Sequence, residues 1–287
     1  MSSNYEKRGY LLEDFRLFHL RDAQGVQIDY HYHEFCKLLF LCSGSGSYAV
    51  EGHRYLLNPG DVVLLGSHCI HRPEFEPGLP YERIILYISP AFLQRESVGD
   101  CRLEDCFSGA QGHVLRLPEK RRQHLLEQLA ALEAELSDNR YGREIACNSR
   151  LLRLLVDIAR AQQSSGSHHP EPIHPTDQTV VSLLAYLDSH LTEEITIDHL
   201  ADRFFLSKFH MMRRFREQTG TTIHNYLRER RLFLARDLLS QGMASTEVCY
   251  RVGFGSYSAF SRAYSKFFGT TPTGRLNGSK TSAESYE

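Results

Sequence analysis

No apolar run in this 287-residue chain approaches the eighteen or so residues that a bilayer-spanning helix needs, and the opening Met1-Ser-Ser-Asn-Tyr-Glu-Lys-Arg8 leads into no apolar core. A spanning helix and a secretory leader are therefore not expected, and the expected compartment is the cytoplasm. The seven cysteines, Cys36, Cys42, Cys69, Cys101, Cys106, Cys147 and Cys249, are odd in number and lack CxxC spacing, which argues against a disulfide framework or a zinc knuckle. Reduced core thiols are expected, with Cys101 and Cys106 as the residual redox pair. Charge of one sign is lacking too, the formal net being −2. The balance is uneven along the chain: residues 176–280 hold 14 Lys/Arg against 10 Asp/Glu, whereas residues 1–175 hold 19 against 23. Any attraction to a polyanion is thus confined to the later part and modest there, so it should weaken with salt.

What the chain does have is an internal repeat. Ser207 to Thr222 matches Ser256 to Thr271 at an offset of 49 residues, aligning Met211 with Phe260, Arg213 with Arg262, Phe215 with Tyr264 and Gly220-Thr221-Thr222 with Gly269-Thr270-Thr271. Each copy reads as a helix: Ser for the N-cap, an apolar i, i+4 pair (Met211/Phe215, Phe260/Tyr264), and Gly past the end. The remaining faces carry Lys208, Phe209, Met212, Arg213 and Arg214 in one copy, and Tyr257, Ser258, Ser261, Arg262 and Lys266 in the other, groups that reach bases and phosphates.

A shorter amphipathic segment and a tight turn precede each copy, Thr196 to Phe204 in one case and Ser245 to Val252 followed by Gly253-Phe254 in the other. A short helix, a turn and a capped basic helix make a helix-turn-helix. Here the pattern occurs twice. The stretch between, Thr222 to Leu239, reads as one connecting helix of roughly 27 Å at ~1.5 Å per residue, near the ~34 Å between successive major-groove faces.

These residues resemble the AraC family of bacterial transcription regulators. The resemblance rests on Leu200-Ala201, Leu206-Ser207, Arg213-Arg214-Phe215, Gly220, Tyr226-Leu227, Arg231-Leu232, Ala235, Leu238-Leu239, Val252-Gly253-Phe254, Phe260-Ser261-Arg262 and Gly269-x-x-Pro272. It implies base reading by Phe209, Met212 and Arg213 from the first recognition helix and by Tyr257, Ser258, Ser261 and Arg262 from the second. Phe209 and Met212 are apolar, which points to thymine-methyl or sugar contacts from them and leaves direct hydrogen bonds mainly to the two arginines.

The first hundred residues differ in character. Lys37–Cys42, Ser47–Val50, Arg54–Leu57, Asp61–Leu65 and Glu82–Ile88 read as strands punctuated by Gly44-Ser-Gly46, Glu51-Gly52, Pro59-Gly60 and Pro77-Gly78. The spacing predicts a small antiparallel barrel or sandwich. His31-x-His33, Gly44, Pro59-Gly60-Asp61 and His71 resemble the cupin pattern over residues 20–90, and the resemblance implies a sensor domain. His31, His33, Phe35, Lys37, Leu39 and Leu41 share parity, so one strand face carries two imidazoles and an ammonium. Metal-binding cupins have a carboxylate where Lys37 stands, and a cation beside a divalent metal is unfavourable. The expected site is metal-free, holding a sugar-like or carboxylated effector through His31, His33, Lys37 and His71.

Leu125, Leu129, Leu132 and Leu136, then Leu151, Leu155 and Ile158, mark two helices that cover the barrel. Leu152, Val156 and Ala159 form a second stripe, which the family resemblance assigns to a second copy of the chain. The Ser-, Pro- and His-rich stretch from Gln163 to Pro175, with His168, His169 and His174, reads as a flexible linker. After it, Thr176 or Asp177 caps a helix striped by Val180, Leu183, Leu184, Leu187 and Leu191.

The expectation is an α+β multidomain protein. An N-terminal antiparallel, cupin-like β-barrel with a helical extension spans 1–162, its dimerisation segment at 119–162. A linker follows at 163–175, and an all-α double helix-turn-helix domain at 176–280. Its expected activity is regulation of transcription as a homodimer on double-stranded DNA, with a small-molecule effector and without catalysis, cofactor or membrane. RNA polymerase is a further candidate partner. Three alternatives stay open: a metal-dependent cupin oxygenase or isomerase, a constitutive DNA-binding protein with a structural barrel, and a helical protein-interaction module.

Overall fold

The structure, a computed structural model, describes residues 11, 13–22, 28, 30–75, 80–110, 112–164, 166–173 and 177–273. The Pro77-Gly78 turn, His174, Thr176 and the chain beyond Thr273 lie outside the described residues. Two compact units part near Val181–Ser182. Among the described residues no helix is long and apolar enough to cross a membrane.

The first unit contains β1 (Phe15–Asp22), β2 (Cys36–Ser43), β3 (Gly46–Val50), β4 (His53–Leu57), β5 (Asp61–Leu65), β6 (His71–Phe75), β7 (Tyr81–Ile88) and β8 (Val114–Arg116). The ladders are antiparallel, but they do not close into the expected barrel. They form a five-stranded sheet, β1-β7-β2-β5-β8, and a three-stranded sheet, β4-β3-β6. Part of the reason is Pro73 within β6: it supplies no N–H to a ladder, and proline is tolerated only in edge strands, so β6 terminates its sheet. Sequence patterning missed β1, β6 and β8; β1 breaks the apolar/polar alternation at Leu17-Phe18, β6 carries the proline, and β8 has three residues.

Alternation along β2 separates two cores. Phe35, Leu39 and Leu41 join a cluster with Tyr48, Val50, Leu57, Val63 and Ile85. Cys36, Leu38 and Phe40 face the opposite way, into a cluster with Leu129, Leu132, Leu151 and Leu155. Those leucines belong to α2 (Glu119–Leu136) and α3 (Arg143–Gln162), which cover the five-stranded sheet; α1 (Pro90–Glu96) precedes them. Every fully buried leucine here contributes on the order of 1.5–3 kcal/mol.

The segment read as a flexible linker is in part held down. His168 exchanges backbone hydrogen bonds with Arg116 of β8 at 2.9 and 3.2 Å, His169 Nδ1 donates to the Val114 carbonyl at 2.8 Å, and Ile173 N–H donates to Arg54 O of β4 at 2.8 Å. β8 and β4 are the outer strands of the two sheets, and outer strands have unpaired N–H and C=O groups to offer. Pro170 and Pro172 stiffen the strap between its anchors. Hydrogen exchange should therefore show protected amides at His168 and Ile173, with Ile173→Pro removing one anchor. Unprotected exchange at both positions would count against the strap.

The second unit is helical: α4 (Gln178–Ser189), α5 (Ile197–Arg203), α6 (Lys208–Thr219), α7 (Ile223–Ser240), α8 (Ser245–Arg251) and α9 (Tyr257–Phe268). The hydroxyls of Thr196, Ser207, Thr222 and Ser256 accept backbone N–H groups from three residues ahead, at 3.1 to 3.3 Å. Gly220 and Gly269, each at φ 72°, follow α6 and α9 in the left-handed region where glycine is unstrained. Met211, Phe215, Phe260 and Tyr264 are buried, as their i, i+4 spacing predicts. The Arg231 guanidinium donates to the carbonyls of Leu191 (2.8 Å), Glu193 (2.6 Å) and Gly253 (2.8 Å), tying α7 to the chain after α4 and to the second turn.

Candidate functional site

The first site lies in the inter-sheet core. Lys37 of β2 belongs to the larger sheet, Tyr48 of β3 and His71 of β6 to the smaller one, and His31 pairs with His71 through two backbone hydrogen bonds of 3.0 and 2.9 Å. The ring centroids of His31 and His71 are 4.2 Å apart, and those of His33 and His71 are 4.8 Å apart. The structure therefore brings together all four residues singled out for effector binding. Lys37, His33 and His71 are 3, 4 and 0% exposed, so a ligand held by them would be enclosed.

Hydrogen bonding fixes the tautomers. His33 Nδ1 bonds to the Phe35 carbonyl at 2.7 Å and His71 Nδ1 to the Cys69 carbonyl at 2.9 Å. A carbonyl can only accept, so each Nδ1 carries the proton and each Nε2 presents a lone pair. Both Nε2 atoms are buried without a hydrogen-bond partner. Burial, followed by the charge of Lys37, holds both imidazoles well below their ordinary pKa, which keeps them neutral. Lys37 Nζ meets the Tyr48 hydroxyl at 3.0 Å. Burial and then the nearby Arg83 bring the Lys37 amine down to about 7, so at neutral pH it is not the settled ammonium expected from its residue type. Among the described residues, no group of three or more His, Cys, Asp or Glu is placed to share a metal ion.

Asp61 supports the same core from outside the cluster. It is 1% exposed and holds Arg116 through both oxygens, with Nε to Oδ1 at 2.7 Å and Nη2 to Oδ2 at 2.6 Å, and it also accepts the Asn58 N–H at 2.8 Å. The redox pair finds no support: Cys106 is buried with its thiol pushed up to about 11, chiefly by burial, while Cys101 is exposed. Leu152, Val156 and Ala159 are half-buried against the first unit's own core, so the stripe is partly accounted for within one chain.

The second site is the pair of recognition helices. On α6, Lys208, Phe209, Met212 and Arg213 are exposed; Lys208 pairs with Asp198, and Arg213 Nε lies 3.5 Å from Glu217. On α9, Ser258 and Arg262 are exposed and Ser261 is half-buried. Tyr257 is less free than its position suggests: its ring packs beside Phe260 and its hydroxyl meets Ser245 Oγ at 3.1 Å. Arg262 also lines a cleft of about 780 Å³ with His224, Arg228 and Arg231. The cleft was not legible in the sequence, because its walls come from α7, the second turn and α9 together.

Comparison with known proteins places both regions. Residues 17–155 match the family model of the AraC-like ligand-binding domain, and residues 200–276 match that of a helix-turn-helix domain. Among curated relatives, the HTH-type transcriptional activator RhaS of Citrobacter koseri is 27% identical over 257 residues, covering 84% of this chain and 85% of that protein. RhaS of Escherichia coli strain K12 is 26% identical over 243 residues with the same coverage. Among solved structures, ToxT from Vibrio cholerae aligns over 91% of this chain and 97% of that one at 14% identity and a TM-score of 0.35. The chain belongs to the AraC family of DNA-binding transcription regulators, with an AraC-like ligand-binding domain ahead of its helix-turn-helix domain.

Proposed function

We propose that this protein is a cytoplasmic, homodimeric regulator whose effector is a small polyhydroxylated molecule, a sugar or sugar acid, enclosed by His31, His33, Lys37 and His71. The observation that carries the reading is the pair of buried, lone-pair-bearing Nε2 atoms of His33 and His71. An unsatisfied buried acceptor costs roughly 1–3 kcal/mol, and two hydroxyl donors on one ligand satisfy both. The ligand would bridge the sheets, since Lys37 stands in one and Tyr48 and His71 in the other. Coupling to DNA requires a difference in effector affinity between two arrangements of the protein. Relatives named as activators favour activation as the direction of control, with RNA polymerase as the downstream partner.

The test is calorimetric titration of the purified protein with neutral sugars and with sugar acids at pH 7.5, in two buffers of different ionisation enthalpy. A sugar acid should be bound with proton uptake, because an anion favours the charged form of an amine that titrates near 7, and its affinity should fall as pH rises above that value. A neutral sugar should bind without uptake. Lack of heat from both classes, or retention of affinity in Lys37→Ala, would defeat the effector assignment. Stoichiometric iron, manganese or nickel in purified protein would favour a metal-dependent enzyme instead.

On the DNA side, Arg213 and Arg262 occupy equivalent places in the repeat, and each is assigned a bidentate guanine contact. Such a contact discriminates by about 1–3 kcal/mol, on the order of 5- to 150-fold. Arg213→Ala and Arg262→Ala should each lose affinity for a duplex selected by the protein from a random pool far more than for unselected duplex. Equal losses on both would reduce that arginine to a phosphate contact.

A further inference from the structure

Phe205 breaks the parallel between the two helix-turn-helices. The same hydrogen bonds close both turns: Phe205 N–H donates to Asp202 O at 3.3 Å and Leu206 N–H to Ala201 O at 3.0 Å, while Gly253 N–H donates to Tyr250 O at 3.1 Å and Phe254 N–H to Cys249 O at 3.0 Å. Phe205 therefore stands where the second copy has Gly253, and both are left-handed, at φ 54° and 88°. Glycine adopts that region without strain; a phenylalanine does not. The other non-glycine residues with positive φ among those described are Glu51 and His68.

The ring gains no burial in exchange. Phe205 is 93% exposed, whereas the next residue of the second turn, Phe254, packs on Phe260 with ring centroids 5.3 Å apart. Strain and an exposed aromatic at one position both work against the folded state, and such outliers concentrate where a partner is contacted. The partner is indicated by the surroundings. Phe205 lies two residues before the Ser207 N-cap of α6, and the N-terminal part of a recognition helix is the part that meets base edges. Phe209 and Met212, on the first two turns of that helix, are 71 and 43% exposed, and Lys208, Arg213 and Arg216 on the same helix match a phosphate-lined groove.

We propose that Phe205 is a DNA contact, extending the apolar reading surface of α6 onto thymine methyl groups and deoxyribose and making the first half-site thymine-dependent, in contrast to the polar second half-site. The proposal rests on α6 being a base-reading helix. It predicts a trade between stability and specificity that a purely structural turn residue would not show.

The experiment uses the full chain and a duplex selected by the wild-type protein from a random pool, with unselected duplex as control. Phe205→Gly should raise Tm by about 2–4 °C through relief of the left-handed strain, and weaken the selected duplex about tenfold while changing unselected duplex less than twofold. Phe205→Asn, which tolerates the left-handed region but lacks the ring, should weaken binding equally. Replacing thymine by uracil in the first half-site should weaken the wild type at one or more positions where Phe205→Gly shows a smaller loss. Unchanged affinity in Phe205→Gly, equal losses on both duplexes, normal binding by Phe205→Asn, or identical uracil penalties in wild type and variant would each overturn the contact. Failure of the wild type to enrich any duplex would instead overturn base reading by α6.

Discussion

Replacing Lys37 by methionine is expected to stabilise the first unit by about 3 kcal/mol at pH 6 and to abolish the response to effector. The side chain is buried and its amine titrates near 7, against about 10.4 in an unfolded chain. Between those values the unfolded state binds more protons than the folded one, so wild-type stability rises with pH from about 7 to about 10 and is lowest below 7. A shift of roughly three units corresponds to about 4 kcal/mol at 1.36 kcal/mol per unit. Methionine fills similar volume without the charge; loss of the Tyr48 hydrogen bond subtracts about 1 kcal/mol. The advantage of the variant should shrink by about 3 kcal/mol between pH 6 and pH 9.5. Thermal melts of the two proteins across that range measure it, and an advantage that does not vary with pH would mean that Lys37 is not titrating from a buried site. The second unit should melt alike in both proteins.

Arg116→Met should destabilise the first unit by about 3–5 kcal/mol, because it leaves the Asp61 carboxylate buried with one backbone N–H in place of a bidentate guanidinium. The double variant Arg116→Met/Asp61→Leu should recover most of the loss, since removing both charges also removes the desolvation cost. A single variant that melts within 1 °C of wild type would show that solvent reaches Asp61. The strap's contact with β8 uses the backbone of residue 116, so His168 protection should survive the change.

The helical half was largely legible because its determinants are local. The caps Thr196, Ser207, Thr222 and Ser256, the glycines after α6 and α9, and the i, i+4 apolar pairs each act within one turn of chain, and duplication of the pattern made the reading specific. The strand faces were legible for a similar reason: parity along a strand is a two-residue period, and it put Phe35, Leu39 and Leu41 on one face. The packing of Tyr257 beside Phe260 and its hydroxyl contact with Ser245 were not legible, since neither is encoded in the helix period.

Periods of two to four residues and caps were enough to define the two helix-turn-helices and the strand faces, and to single out His31, His33, Lys37 and His71 as candidates. Tertiary structure alone decided four things. The sheets stay open, because closure depends on which strands become edges. The chain after Ser164 is strapped across β8 and β4, because its partners lie about 50 to 120 residues away. Arg231 clamps the backbone carbonyls of Leu191, Glu193 and Gly253, residues far from it in sequence. Lys37 and the two imidazoles approach neutrality because surrounding strands exclude water, and desolvation is a property of the assembled core that no single segment carries.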